Sequence, residues 1–288
     1  MKQITDPSAR LEDRKSMTSE ELRVKEREHQ EDLARLRGFR PIDDTFMRCL
    51  FRDNLPLAQL VLRIITGIED LTLISEETQK DLKRLAGARS ICLDVHGVDE
   101  QGKKYDIEVQ RADEGAKPER ARYHASLMDI ESLDARQEFE ELPDTYTIFI
   151  TENDWYGYGD GIYRVERMLI GKDRLFDDRQ HILYVNGAYR GEDDLGELMH
   201  DFCCHEPDEM KIGLMAEGSR YWKENPKGVD YMCKAMEDMR KEAMEKGIEN
   251  NRLENIRNLM TTMNLTAQQA MDALLIPADE QEKYIALL

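Results

Sequence analysis

Two short runs place acids at alternate positions: Ile91-Cys-Leu-Asp94-Val-His96 and Tyr105-Asp106-Ile-Glu108-Val-Gln110. In each run apolar residues alternate with polar ones, the two-residue period of a strand, so the acids of each arm share one face. Between the arms, Asp99-Glu-Gln-Gly102-Lys103 suits a three-residue loop, a type I turn closed by a glycine in the left-handed conformation. Asp99 then faces Lys103, which sets Asp94 across from Glu108, His96 across from Asp106 and Cys92 across from Gln110. Side chains opposed in this way have Cβ atoms about 5 Å apart. Two carboxylates so placed repel each other unless a cation bridges them, and hard oxygen ligands of this kind suit Mg2+ or Mn2+. The same residues also describe a solvated edge hairpin whose polar face meets water.

No other stretch offers so coherent a ligand set. His200, Cys203, Cys204 and His205 cluster in sequence, but adjacent cysteines seldom ligate one Zn2+ together and no second pair stands at finger spacing. The loop Asn153-Asp-Trp-Tyr-Gly-Tyr-Gly-Asp-Gly161 lacks the lysine and following helix of a phosphate-binding loop. A formal charge of −19 rules out coating nucleic acid by bulk attraction, so any DNA contact must be local. Basic residues for it lie near the hairpin: Lys103, Lys104, Arg111, Lys117, Arg120 and Arg122. No apolar run approaches the roughly 20 residues of a membrane span, and Met1-Lys-Gln-Ile-Thr-Asp6 lacks a signal peptide's apolar core. Five cysteines without framework spacing agree with a reducing compartment, and the expected location is the cytoplasm.

Elements must bring these residues together. Residues 1–38 carry dense alternating charge and predict an exposed helix ended by Gly38. A capped helix over Asp43–Phe51 and a buried one over Leu55–Gly67 follow. Leu71–Ser75 predicts a first strand and Thr78–Leu85 a polar connector before the hairpin. Pro118 opens a helix to about Ser132. Thr145–Thr151, Ile162–Leu169 and His181–Val185 read as further strands. The remainder predicts helices over Leu195–Phe202, Glu209–Lys223, Val229–Lys246 and Asn250–Met263. A capping box, Thr266 with Gln269, opens another, and Asp279–Leu288 forms the last. The expected organisation is a charged helical extension over 1–38, an α/β domain with a mixed sheet over 39–190, and a helical region over 191–288.

At Leu93-Asp94-Val95 and Asp106-Ile-Glu108-Val-Gln110 the chain resembles the PD-(D/E)XK nuclease family transposases, the recombination-promoting nuclease group of the restriction-endonuclease-like superfamily. The resemblance runs from about Phe39 to Tyr189. It includes Asp44-Thr-Phe-Met-Arg48-Cys-Leu-Phe51, Arg120-Ala-Arg122-Tyr123, Leu142-Pro-Asp-Thr-Tyr-Thr-Ile-Phe-Ile150 and the glycine-rich loop before Ile162-Tyr163. It implies a restriction-endonuclease-like mixed central sheet flanked by helices, and a Mg2+-dependent (or Mn2+-dependent) DNA endonuclease of mobile-element or recombination type. It implies metal ligation by Asp94 and Glu108, with Asp44 as an accessory acid. Gln110 stands where many superfamily members have a catalytic lysine. An amide can orient water but brings no charge, and a cation from elsewhere, such as Arg122 or Lys104, would compensate. Arg120, Arg122 and Lys104 are the expected DNA contacts, acting on the backbone without reading sequence. Two other readings remain: a non-catalytic relative that binds nucleic acid or protein, and a regulated nuclease in a defence or toxin-like role. In the last, the helical extensions would serve control or homo-oligomer formation.

Overall fold

The computed structural model describes residues 18–82, 91–111 and 113–288. These fall into two compact units, one ending at Met232 and the other covering Cys233–Leu288. In the first unit, helix α1 (Ser19–Arg37) is exposed along most of its length, as its charge pattern predicts, and buries Leu36 near its end. Helices α2 (Asp44–Phe51) and α3 (Leu55–Thr66) follow. Asn54 caps α3 through its side chain, and Gly67 ends it at φ +75°, a conformation that favours glycine.

The sheet has six strands in the order β1-β2-β3-β4-β8-β5. Strands β1 (Leu73–Leu82), β2 (Ile91–Asp99) and β3 (Lys104–Gln110) are antiparallel neighbours. Strands β3, β4 (Thr145–Thr151) and β8 (Gln180–Asn186) run parallel, and β5 (Ile162–Val165) closes the far edge. A two-stranded ribbon, β6 (Met168–Leu169) with β7 (Arg174–Leu175), replaces the second half of the single strand expected over Ile162–Leu169. The polar connector expected over Thr78–Leu85 is also corrected: strand β1 continues to Leu82 because Thr78, Lys80, Asp81 and Leu82 pair with β2. An edge strand with one wet face tolerates such polarity.

The hairpin folds in the register the sequence predicts. Val95 pairs with Ile107, His96 with Asp106, Gly97 with Tyr105 and Val98 with Lys104. Asp99 N–H donates to the Lys103 carbonyl, and Gly102 adopts φ +80°. The Asp99 carboxylate fixes the turn by accepting from Gln101 N, Lys103 N and the Tyr105 hydroxyl at 2.9, 2.9 and 2.7 Å.

One face of the sheet is covered by α2, α3, α5 (Asp194–Cys203) and α6 (Gly213–Glu224). The apolar set of β3, Tyr105, Ile107 and Val109, joins Met47, Leu50, Val61, Leu62, Ile148 and Phe202 in that core. The opposite face carries α4 (Pro118–Ser132), whose Ala121, Ala125, Leu127 and Met128 are buried. The acids of β3 therefore point at α4, and the hydrophobic layer behind them holds the strand in place.

Helix α7 (Pro226–Thr262) runs unbroken over Val229–Lys246 and the stretch expected to continue it from Asn250, with Gly247 tolerated in its interior at roughly 1 kcal/mol relative to alanine. In the second unit, α8 (Ala267–Ala273) has the predicted capping box of Thr266 and Gln269. Helix α9 (Ala278–Ile285) completes a small core of Ile256, Ala270, Met271, Ile276 and Tyr284. No helix of the described residues is long and apolar enough to cross a membrane.

Asp99→Ala is expected to lower the unfolding free energy by about 2 kcal/mol, since hydrogen bonds to a charged group are lost at a partly buried turn. A shift in denaturant midpoint at constant slope checks this.

Candidate active site

Beyond the Val95–Ile107 pair the β2–β3 ladder stops, and acid side chains take over the backbone groups. Asp94 N donates to Glu108 Oε1 at 3.1 Å, and Val109 N donates to Asp94 Oδ2 at 3.4 Å. The two carboxylates expected to face each other are thus locked side by side. Asp94 is 8% exposed and Glu108 fully buried. Cys92 and Gln110 form no ladder pair, because the β2–β3 pairing runs only from Val98–Lys104 to Val95–Ile107; on the other side of β2, Cys92 pairs with Asp81.

Asp44 opens α2 and binds Arg48 Nη2 at 2.9 Å, one helical turn on; the same nitrogen lies 3.9 Å from Asp94 Oδ1. Asp44, Asp94 and Glu108 therefore meet at one end of the sheet, with Arg48 between the first two. A second set of charges frames the site. Arg40 binds Glu152 at 2.8 Å and Arg111 binds Asp43 at 2.9 Å, which ties the segment just before α2 to the ends of β3 and β4.

Gln110 does not stand without a cation. Arg120, from the first turns of α4, donates through Nη1 to Gln110 Oε1 at 3.3 Å and through Nη2 to Glu108 Oε2 at 3.0 Å. Gly115 makes room for this amide, since a Cβ there would lie 2.0 Å from Gln110 Oε1. The structure brings Arg120 to the acids and leaves Arg122 exposed on the same helix. Lys104 lies at the other end of β3, four residues or roughly 13 Å along the strand from Glu108. It belongs with Lys80, Asp129 and Glu131, and burial together with Lys80 lowers its pKa.

Sequence reasoning missed His124. Its Nδ1 is 3.1 Å from Asp106 Oδ2 and 3.6 Å from Glu108 Oε1, and both Asp106 and His124 are buried. The histidine that meets Asp106 is thus His124, on the helix, while His96 is held neutral by burial, with its pKa lowered to about 3. A signal was present: Arg120 and His124 are four residues apart in a helix and share a face.

Burial dominates the electrostatics. It raises the Asp94 carboxyl to about 6, with Asp44 adding to the rise while Arg48 and Arg120 oppose it. It raises Glu108 to about 9, helped by Asp106 and Asp94 and opposed by His124. Asp106 is raised by the same desolvation, and its Oδ1 is buried without a hydrogen-bond partner. Desolvated carboxylates that repel one another are the donor set a hard divalent cation relieves. Asp94 and Glu108, with Asp44 near, fit Mg2+ or Mn2+; Asp106, Glu108 and His124 also lie close enough together to hold an ion.

A mixed six-stranded sheet between helices, with clustered acids where two of its strands part, is consistent with the restriction-endonuclease-like fold. Residues 57–186, from α3 to the end of β8, match the model of the PD-(D/E)XK nuclease family transposases. No curated protein and no solved structure gives a match. The family supports a nuclease or transposase type of function acting on DNA.

The raised Glu108 pKa predicts a pH-dependent stability. Between an unfolded glutamate near pH 4.3 and a folded value of about 9, the folded state holds a proton that the unfolded chain has lost. Stability of the metal-free protein should therefore fall as pH rises through that window. Thermal melts from about pH 5 to about pH 9 should show the decline, and Glu108→Gln should flatten it.

Proposed function

We propose that the protein is a divalent-cation-dependent endodeoxyribonuclease of the transposase or recombination type, hydrolysing phosphodiester bonds at Asp94, Glu108 and Gln110. The observation that carries the reading is the bridge made by Arg120. It places a guanidinium on Glu108 and Gln110, where the strand itself supplies no positive charge.

Asp94 and Glu108, with Asp44 beside them, would hold Mg2+ or Mn2+. Such an ion lowers the pKa of a water and offsets charge on the scissile phosphate. Gln110 Oε1 takes one N–H from Arg120 and keeps a lone pair to orient the attacking water, while its Nε2 can donate to a phosphate oxygen. Arg120 supplies the charge that the amide lacks, in a planar fork suited to phosphate. Arg122, exposed on the same helix, would contact the DNA backbone as a positioning charge. The raised carboxyl pKa values make protons compete with the cation, so binding should strengthen as pH rises.

Supercoiled plasmid nicking with Mg2+ or Mn2+ tests the reading. Asp94→Ala and Glu108→Ala should abolish cleavage, and Arg120→Gln should lower kcat by about 100-fold or more, the scale for losing one charge-stabilising donor. Equal background cleavage by the parent and the two acid variants would sink the catalytic reading. DNA binding that weakens with salt in the absence of cleavage would instead mark a binding relative.

Gly115→Ala gives an independent check on Gln110. The clash falls on the far end of a flexible side chain, so the amide should swing away while the fold survives. Stability should change by less than about 1 kcal/mol. The nicking rate should fall about tenfold, at the low end of the range for disturbing a group that holds a reacting one.

A further inference from the structure

We propose that Asp106 and His124 form a buried dyad that positions Arg120 for the reaction, by holding an imidazole lone pair against the guanidinium. The inference rests on the nuclease reading for its consequence, but its geometry is independent of it.

Arg120 Nε lies 3.3 Å from His124 Nε2. Guanidinium nitrogens only donate, so Nε2 must be the unprotonated nitrogen and the ring proton sits on Nδ1. Nδ1 faces Asp106 Oδ2 at 3.1 Å, and a carboxylate oxygen there favours that tautomer. The ring is fixed by packing as well: Phe149 meets it edge-on with centroids 5.8 Å apart. Asp106 is fully buried behind Glu108 and His124 is 1% exposed, so the pair acts through Arg120 rather than on DNA.

The consequence is a guanidinium held on three sides. Nε goes to His124, Nη1 to Gln110 and Nη2 to Glu108. An arginine tethered only by its outer nitrogens would retain freedom about its long stem. With Nε also fixed, its plane is set relative to the two residues proposed to act on water and metal. Asp106 and His124 are thus positioning residues. This role separates Asp106 from Glu108 although they stand two residues apart on one strand face.

Two measurements on the full chain test the proposal. The first needs no activity. In 15N-labelled protein, His124 should show the Nδ1–H tautomer, and the Arg120 Nε–H resonance should be resolved and protected from exchange. His124→Phe, which keeps an aromatic ring beside Phe149, should abolish that protection. An Nε2–H tautomer, or an Arg120 signal unchanged in His124→Phe, would overturn the proposal whether or not the protein cleaves DNA.

The second is a double-mutant cycle on Mn2+-dependent nicking. His124→Phe should lower kcat by about 10- to 100-fold, the scale for removing a group that orients a functional residue. KM for DNA and Mn2+ affinity by electron paramagnetic resonance should stay within about twofold. His124→Gln, which restores an acceptor for Nε, should recover most of the rate. In the Arg120→Gln background the His124 change should cost nothing further. Equal losses in both backgrounds would defeat the dyad, whereas a parent protein that never cleaves would defeat the nuclease reading and leave the tautomer measurement to decide the geometry.

Discussion

Desolvation of like charges on one sheet face is the constraint around which the rest is arranged. Asp94 on β2 and Asp106 and Glu108 on β3 are removed from water on neighbouring strands. Isolated, each would neutralise itself by taking up a proton. Their partners come from two helices that flank opposite faces of the sheet: Arg120 and His124 from α4, and Arg48 from α2. Neither helix is therefore packing alone. Buried ion sets of this kind contribute little net stability, and here the stabilisation lies on the opposite face, where Tyr105, Ile107 and Val109 join the main apolar core. One strand thus does both jobs, with alternate residues serving core and site.

That division explains how much the sequence disclosed. The period of two in β3 showed which residues share the acid face, and the short loop with Gly102 set the register that the structure has. Both signals are local, a few residues long, and independent of the remaining chain. Strand β1 was legible only in part because its polar half is made into a strand by pairing with β2, a contact that no local preference encodes. His124 was passed over because a single histidine in a helix carries no distinctive spacing by itself. Its meaning comes from Asp106, which lies on another element. The same holds for the cation: Arg120, Arg122 and Lys104 are alike in a list of basic residues, and only the docking of α4 selects Arg120. Loci set by periodicity were readable, whereas partners set by packing were not.

The opening of the β2–β3 ladder is the structural event that creates the site. A continued ladder would pair Asp94 and Glu108 through backbone groups and leave their carboxylates as neighbours on a flat face. Instead the carboxylates accept the strand N–H groups themselves, so each acid is fixed in direction as well as position. The ion pairs of Arg40 with Glu152 and of Arg111 with Asp43 then hold α2 to the ends of β3 and β4, which keeps Asp44 and Arg48 over the same opening.

The move of the cation from strand to helix has a further consequence. A lysine two residues after Glu108 would be carried by the same strand and keep its place as long as the hairpin folds. A guanidinium from α4 keeps its place only while that helix is docked on the sheet. α4 is docked by small side chains, Ala121 and Ala125, and by Leu127 and Met128. Small residues allow close approach but bury little apolar area. The contacts of Arg120 and His124 with the acids therefore add direction to the docking of the start of α4, alongside the packing of Ala121 with Phe149 and Tyr184. Relieving the charge on those acids weakens the same contacts. A cation bound as proposed would be coupled to helix docking through Glu108, which accepts from Arg120. In a chain of net charge −19, any positive potential offered to DNA must be local. The strength of that potential is set by local packing.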